Sequence, residues 1–179
     1  MSDRSIEDYC YYQSPIGLIG MGETGGFLTR ANFVEQSPES KHIQSDSVSN
    51  SSTLLKDACR QLDEYFEGRR QKFDLALKPH GTDFQRSAWE SLLRIPYGET
   101  RSYMQQAESI RNPRAIRAIG QANSRNPIPI IIPCHRVVGK NGSLTGYAGG
   151  LDRKTRLLAL EQASCTNKII RTHFTANGS

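Results

Sequence analysis

The chain lacks any apolar run that could cross a bilayer, because every window of about 18 residues in its 179 carries polar or charged side chains. Its first eight residues, Met1 to Asp8, hold no apolar signal core, so a cytoplasmic location is expected. Cysteine is scarce and scattered: Cys10, Cys59, Cys134 and Cys165 form no CxxC pair. In a reducing compartment that argues against a disulfide framework and against a zinc knuckle. A mixed site drawn from Cys10, His42, Cys59 and His80 matches no ligand spacing, so neither a metal nor a cofactor is expected. Each cysteine is then either a small buried hydrophobe or a reactive thiol. No internal repeat is visible.

What is present is positive charge, unevenly spread. Lys and Arg total 23 against 18 Asp and Glu, a net charge of +5. From Arg86 to Arg125 there are seven arginines (86, 94, 101, 111, 114, 117 and 125), with Arg136 just beyond. They face only Glu90, Glu99 and Glu108. A basic C-terminal half suits a polyanionic partner. Apolar content of 36% and charged content of 23% fit a globular protein of one large or two small domains.

Residues 1–80 read as a small sheet-and-helix domain. Tyr9–Gln13, Leu18–Met21 and Phe27–Phe33 form a strand meander, turned at Ser14–Gly17 and at Gly25-Gly26. Residues 36–53, dominated by Ser, form a loop. A helix is predicted over Thr53–Glu67, with Thr53 as its N-cap, Leu55, Ala58, Leu62 and Phe66 on one face, and Gly68 as its stop. Phe73–Leu77 alternates and is predicted to return as a strand. Pro79-His80-Gly81 marks the boundary to a second domain, residues 81–165, with a flexible tail over 166–179.

The second domain is helical. A helix over Asp83–Leu93 is followed by Ser102 and Gln105, a capping box that opens a helix ending at Ser109. Asn112-Pro113 supplies an N-cap and a first-turn proline for another helix, predicted over Pro113–Ser124. The three-residue connection Ile110-Arg111-Asn112 has the length of a helix-turn-helix. On the second helix, Arg114, Arg117, Gln121 and Arg125 share one basic stripe, with Ala115, Ile116, Ile119 and Ala122 on the apolar side. Small Ala118 and Gly120 allow close backbone approach to a partner. By charge alone this is equally a solvated arginine face.

Asn126 to Gly139 joins a β-branched apolar run to Pro127, Pro129 and Pro133, which deny it a regular central strand. A rigid, irregular crossing that delivers Cys134 is expected. His135 follows directly, but on a strand the two side chains would point to opposite faces. Activation of Cys134 by His135 therefore calls for a water or a turn, with a carboxylate elsewhere orienting the imidazole. A buried structural Cys beside a surface His is the alternative.

Pro133-Cys134-His135-Arg136-Val137 resembles the alkyl-acceptor motif of the O6-alkylguanine-DNA alkyltransferases (methylated-DNA–protein-cysteine methyltransferases). The similarity runs from Phe84 to Glu161. It includes Phe-Gln-Arg-x-x-Trp at 84–89, Ile-Pro-Tyr-Gly-Glu-Thr at 95–100, Asn-Pro-Arg-Ala-Ile-Arg-Ala-Ile-Gly at 112–120 and Gly-Tyr-Ala-Gly-Gly-Leu at 146–151. The first 80 residues match only in layout. The resemblance implies an α+β protein: a small N-terminal α/β, ribonuclease-H-like domain, then a helical winged-helix/helix-turn-helix DNA-binding domain.

It implies roles as well. Cys134 is the acceptor thiol, His135 deprotonates it through a water, and Glu161 holds the imidazole. Asn126 is the hinge, and Tyr103 donates to N3 of the flipped base. Arg117 fills the gap the base leaves. Arg114, Gln121, Ser102 and Arg125 join it in contacting double-stranded DNA through the minor groove. Val137, Tyr147, Ala148 and Lys154 line the substrate pocket; Ala148 stands where some relatives carry Ser. Lys140-Asn141 and the serine-rich loop are peculiar to this chain. The implied reaction moves an alkyl group, once, from O6-alkylguanine or O4-alkylthymine to Cys134, by a monomer that can bind DNA cooperatively. Three other readings differ in their tests: a lesion-binding protein without transfer, a Cys-His hydrolase that turns over repeatedly, and a sequence-specific regulator indifferent to Cys134.

Overall fold

In the computed structural model, residues 8–35 and 48–176 are described, the side chains of 163–164 and 166–176 excepted. Strands β1 (Asp8–Ser14), β2 (Gly17–Thr24) and β3 (Phe27–Phe33) form an antiparallel meander in the order β1-β2-β3. The two turns fall where Ser14–Gly17 and Gly25-Gly26 predict them. Both glycines of the second turn have positive φ, 60° and 82°, which only Gly adopts without cost.

Helix α1 (Thr53–Phe66) packs on this sheet. Its N-cap is Ser52, not Thr53: Ser52 Oγ accepts from Leu55 N and donates to Glu23 of β2, so the residue that can tie helix to sheet takes the cap. The inward face carries Leu55, Ala58, Leu62 and Tyr65, while Phe66, assigned to that face from spacing, is only half-buried. Gly68, at φ +72°, ends the helix as predicted.

The strand predicted over Phe73–Leu77 is reduced to a single parallel bridge, Leu77 to Leu28. The alternation is real, with 73, 75 and 77 half-buried and 74 and 76 exposed. Pairing stops because the Gln61 side chain takes both backbone groups of Asp74, at 2.8 Å each. His42 lies outside the described residues, as does most of the serine-rich loop.

Helices α2 (Asp83–Leu92), α3 (Tyr103–Ser109) and α4 (Ile116–Ser124) pack on one another through Ala88, Ala107, Ile119 and Ala122. Small residues let the three axes close up, and Trp89 Nε1 donates across to Ala122 O at 2.9 Å. Ser102 and Gln105 form the predicted capping box on α3.

Helix α4 starts three residues later than Asn112-Pro113 predicts. Arg111 leaves α3 with φ +58°, and Ala115 N donates to Asn112 O, so Asn112 opens a turn rather than capping a helix. The short parallel pair β4 (Arg101–Ser102) and β5 (Val137–Val138) brackets the active segment. Helix α5 (Leu151–Ala176) closes the chain; residues 166–176, expected as a flexible tail, continue it.

The two halves share one apolar core. Met21, Leu28, Leu55, Leu62 and Tyr65 join Trp89, Ile128, Ile131 and Leu157 in a single cluster, and Ala31 N donates to Pro127 O at 2.8 Å across the junction.

Candidate active site and nucleic-acid face

The crossing from Asn126 to Pro133 is irregular, as its prolines require, and it is closed by one side chain. Asn126 Oδ1 accepts from Ile128 N at 3.0 Å, and Asn126 Nδ2 donates to Ile132 O at 2.7 Å. Ile130 sits at φ +74°, a conformation a β-branched residue adopts only where its surroundings over-determine it. They do so here, because Ile128, Ile130, Ile131 and Ile132 are all buried.

Cys134 then opens a single 3-10 turn, Cys134–Arg136. Successive side chains in such a turn fan out by roughly 120°. The turn, not a strand, resolves the Cys-His adjacency: Cys134 meets Asn126 while His135 meets Glu161. Asn126 Nδ2 donates to Cys134 Sγ at 3.2 Å. Burial pushes the Cys134 thiol up to about 11, opposed by the Asn126 hydrogen bond and by the charge of Lys154.

Glu161, fully buried on α5, is the hub. His135 Nε2 lies 2.8 Å from Glu161 Oε1. Arg136 donates from Nη2 to Oε1 and from Nε to Oε2, each at 3.0 Å. Gly98 N donates to Oε2 at 3.0 Å, and Tyr65 Oη to Oε1 at 2.8 Å. Burial alone would raise the carboxyl; the His135 and Arg136 bonds and charges prevail and hold it at about 2. Burial lowers the basicity of His135, with Glu161 working the other way. His135 Nδ1 is buried and has no hydrogen-bond partner among the described residues. The imidazole is thus anchored at one nitrogen and available at the other.

Tyr103, at the start of α3, donates from its hydroxyl to Thr145 O at 2.9 Å, and burial raises its pKa. Lys154 is buried, with Nζ donating to Val137 O at 2.6 Å and Thr145 O at 2.9 Å. Val137 is buried in β5. Tyr147 is half-buried, and its hydroxyl has no partner among the described residues. Ala148 is exposed beside it.

Arg114, Arg117, Ala118, Gln121 and Arg125 are all exposed along one face. Arg114 precedes α4 instead of lying within it, and Ile116, assigned to the apolar side, is 37% exposed next to Arg117. A Cβ at Gly120 would sit 4.0 Å from the Tyr103 ring, so the inner side of α4 lies over the active site. Ser102 Oγ is engaged as the α3 cap, accepting from Gln105 N at 3.1 Å.

Two members of this site escaped the sequence reading. Arg136 had a signal, an arginine inside an apolar run that must find a buried counter-charge. Tyr65 had none, because it lies on the N-terminal helix about a hundred residues from its partner. Among the described residues, no group of three or more His, Cys, Asp or Glu is placed to hold a metal ion. No helix there is long and apolar enough to cross a membrane.

A buried thiol on a rigid turn, an imidazole tied to a carboxylate, and a basic helix above them are the parts that a nucleic-acid-binding protein with a reactive cysteine would need. Residues 83–163 match the 6-O-methylguanine DNA methyltransferase, DNA binding domain, and residues 8–79 match the ribonuclease-like domain of the same family. A methylated-DNA–protein-cysteine methyltransferase of Methanosarcina barkeri is 50% identical over 154 residues, 86% of this chain and 96% of the relative. The crystal structure of the Mycobacterium tuberculosis O6-methylguanine methyltransferase is 45% identical, covers 89% of this chain and 94% of that one, and superposes with a TM-score of 0.76. A structure of that mycobacterial protein in complex with DNA is 46% identical over 87% of this chain and 93% of that one, also with a TM-score of 0.76. The chain belongs to the 6-O-methylguanine DNA methyltransferase family.

Proposed function

We propose that this protein repairs double-stranded DNA by moving an alkyl group from O6 of guanine, or O4 of thymine, onto its own Cys134. The observation that carries the reading is the divided imidazole: His135 Nε2 is held by Glu161 while buried Nδ1 stands unpaired beside the Cys134 turn.

An alkyl carbon inside a duplex is out of reach, so the base must rotate out at a cost of a few kcal/mol. Arg117, exposed on the face of α4, fills the gap from the minor groove, while Arg114, Gln121, Arg125 and Ser102 hold the backbone. The extrahelical base enters beside Tyr103, Val137, Tyr147, Ala148 and Lys154. The Cys134 proton passes to His135 Nδ1 through a water, and the imidazolium charge is balanced by the Glu161 carboxylate. The sulfur electron pair then forms the S–C bond as the C–O6 bond breaks. The electrons of that bond remain on the base, which the Tyr103 hydroxyl protonates at its ring edge, and the proton held by His135 returns through solvent to Tyr103, so that both side chains end neutral. A thioether has no route back, so each molecule acts once. Residues 1–80 and 81–165 act as the two domains, in the cytoplasm.

Mass spectrometry after incubation with O6-methylguanine duplex tests this. One methyl on the Cys134 peptide is the expected result, saturating at one equivalent. Binding without mass gain would establish a lesion-binding protein instead, and repeated turnover of an ester would establish a hydrolase.

A further inference from the structure

We propose that Tyr65, supplied by the N-terminal domain, is a positioning residue of the transfer site that limits the basicity of His135 by competing for Glu161 Oε1. The inference rests on the assignment of His135 as the proton acceptor for Cys134.

Three residues donate to that one oxygen: the Tyr65 hydroxyl at 2.8 Å, His135 Nε2 at 2.8 Å, and Arg136 from Nη2 at 3.0 Å and from Nε at 3.3 Å. A carboxylate oxygen offers about two lone-pair directions, so each donor weakens the others' hold. Tyr65 is fully buried, and its ring is fixed against Phe66, Phe73 and Tyr97 at centroid separations of 5.3, 5.4 and 5.9 Å. A hydroxyl held this way cannot swing to another acceptor. Burial and the neighbouring Glu161 charge keep Tyr65 protonated, so it acts as a donor throughout the working range.

The other charged or titratable groups facing His135 are Cys134 and Arg136 on its own turn and Lys154 on α5, with Tyr97 beside Arg136. None of them comes from the N-terminal domain. The bond from Tyr65 is therefore a direct polar link from residues 8–79 to the carboxylate that holds His135.

The sign follows from the resting state. Cys134 rests as a neutral thiol and His135 as a neutral imidazole, so the acid limb of the transfer rate reports protonation of His135. Removing the Tyr65 hydroxyl frees Oε1 for His135 Nε2–H, which stabilises imidazolium and raises the pKa of His135. Tyr65→Phe should shift the acid limb upward by about half a pH unit while leaving the transferred methyl on Cys134. Fluorinated tyrosine incorporated at position 65, a stronger donor of nearly the same shape, should shift it downward. The 15N resonances of His135 should follow the same order.

A limb that stays put in both proteins, with only thermal stability altered, would overturn the proposal and leave Tyr65 a packing residue. The fluorinated protein keeps the test available should Tyr65→Phe fail to fold. Absence of any methyl on Cys134 in the unaltered protein is a different failure, that of the transfer assignment itself.

Discussion

Lys154 and Tyr103 meet on one carbonyl: Lys154 Nζ and the Tyr103 hydroxyl each donate to Thr145 O at 2.9 Å. One donor comes from α5 and the other from α3, so the loop between β5 and α5 is pinned from two sides. That loop carries Tyr147 and Ala148, which the proposed function sets against the extrahelical base.

Lys154→Met keeps most of the buried stem but removes the cation and both bonds. The Cys134 thiol, already raised to about 11 by burial, should rise further, because the lysine charge is one of the influences holding it down. Transfer from free O6-methylguanine should fall by up to about tenfold for each unit by which the thiol pKa rises. A pH–rate profile of Cys134 alkylation measures both; an unchanged thiol pKa would remove Lys154 from the electrostatics of the site.

Glu161 ties acid stability to the same network. Its carboxyl is held at about 2 in the folded state against an ordinary value of 4.5. A depressed carboxyl stabilises the fold above its unfolded value and loses that contribution as pH falls from about 4.5 through about 2. His135, lowered by burial, acts in the same direction, losing its contribution as pH falls below 6.5. Glu161→Gln leaves Arg136 buried without a counter-charge, which costs about 3–5 kcal/mol. Urea unfolding at neutral pH should show that loss, and between pH 4.5 and 2 the variant's stability should fall less steeply than the parent's, the remaining slope coming from carboxylates such as Asp57 and Glu64.

Asn126→Ala removes three bonds at once: to Ile132 O, from Ile128 N and to Cys134 Sγ. Ile128 N is then left without its partner, which costs about 1–3 kcal/mol, while Ile132 O keeps the bond from Cys134 N at 2.9 Å. The strained Ile130 also loses its clamp. We expect a drop in stability of at least about 2 kcal/mol and a further rise in the Cys134 pKa. Asn126→Asp separates the two effects: its carboxylate can still accept from Ile128 N, but it repels a thiolate. Slow alkylation in a protein of near-normal stability would assign the thiol effect to the Asn126 amide.

Much of this was readable from local chemistry. Ser102 with Gln105, and Gly25 with Gly26, act within four residues of themselves, so the capping box and the hairpin follow from composition alone. The matched blocks around Cys134 carried the site. What stayed hidden depends on distant partners. Ser52 is preferred to Thr53 as a cap because Glu23 waits on the sheet, Asp74 is denied a strand by Gln61, and Tyr65 matters because of Glu161. The start of α4 was misplaced for a subtler reason: Asn112 suits a cap and a turn equally, and the left-handed Arg111 before it decides for the turn.

Arg117 offers the sharpest division between binding and chemistry. It is exposed and makes no described contact with the buried site, so Arg117→Ala should change stability by less than about 0.5 kcal/mol. If its side chain fills the space of the flipped base, duplex repair should fall at least about tenfold, since the unstacking cost is then unshared. Reaction with the free base needs no flipping and should be largely kept. If Arg114 and Arg125 hold phosphates, Arg114→Ala and Arg125→Ala should each lower the slope of log affinity against log salt by about 1 while sparing the flipping step. Rates on duplex, single strand and free base, measured at two salt concentrations, separate these outcomes. Equal losses for Arg117→Ala on duplex and free base would place that arginine among the supports of the fold rather than in the stack.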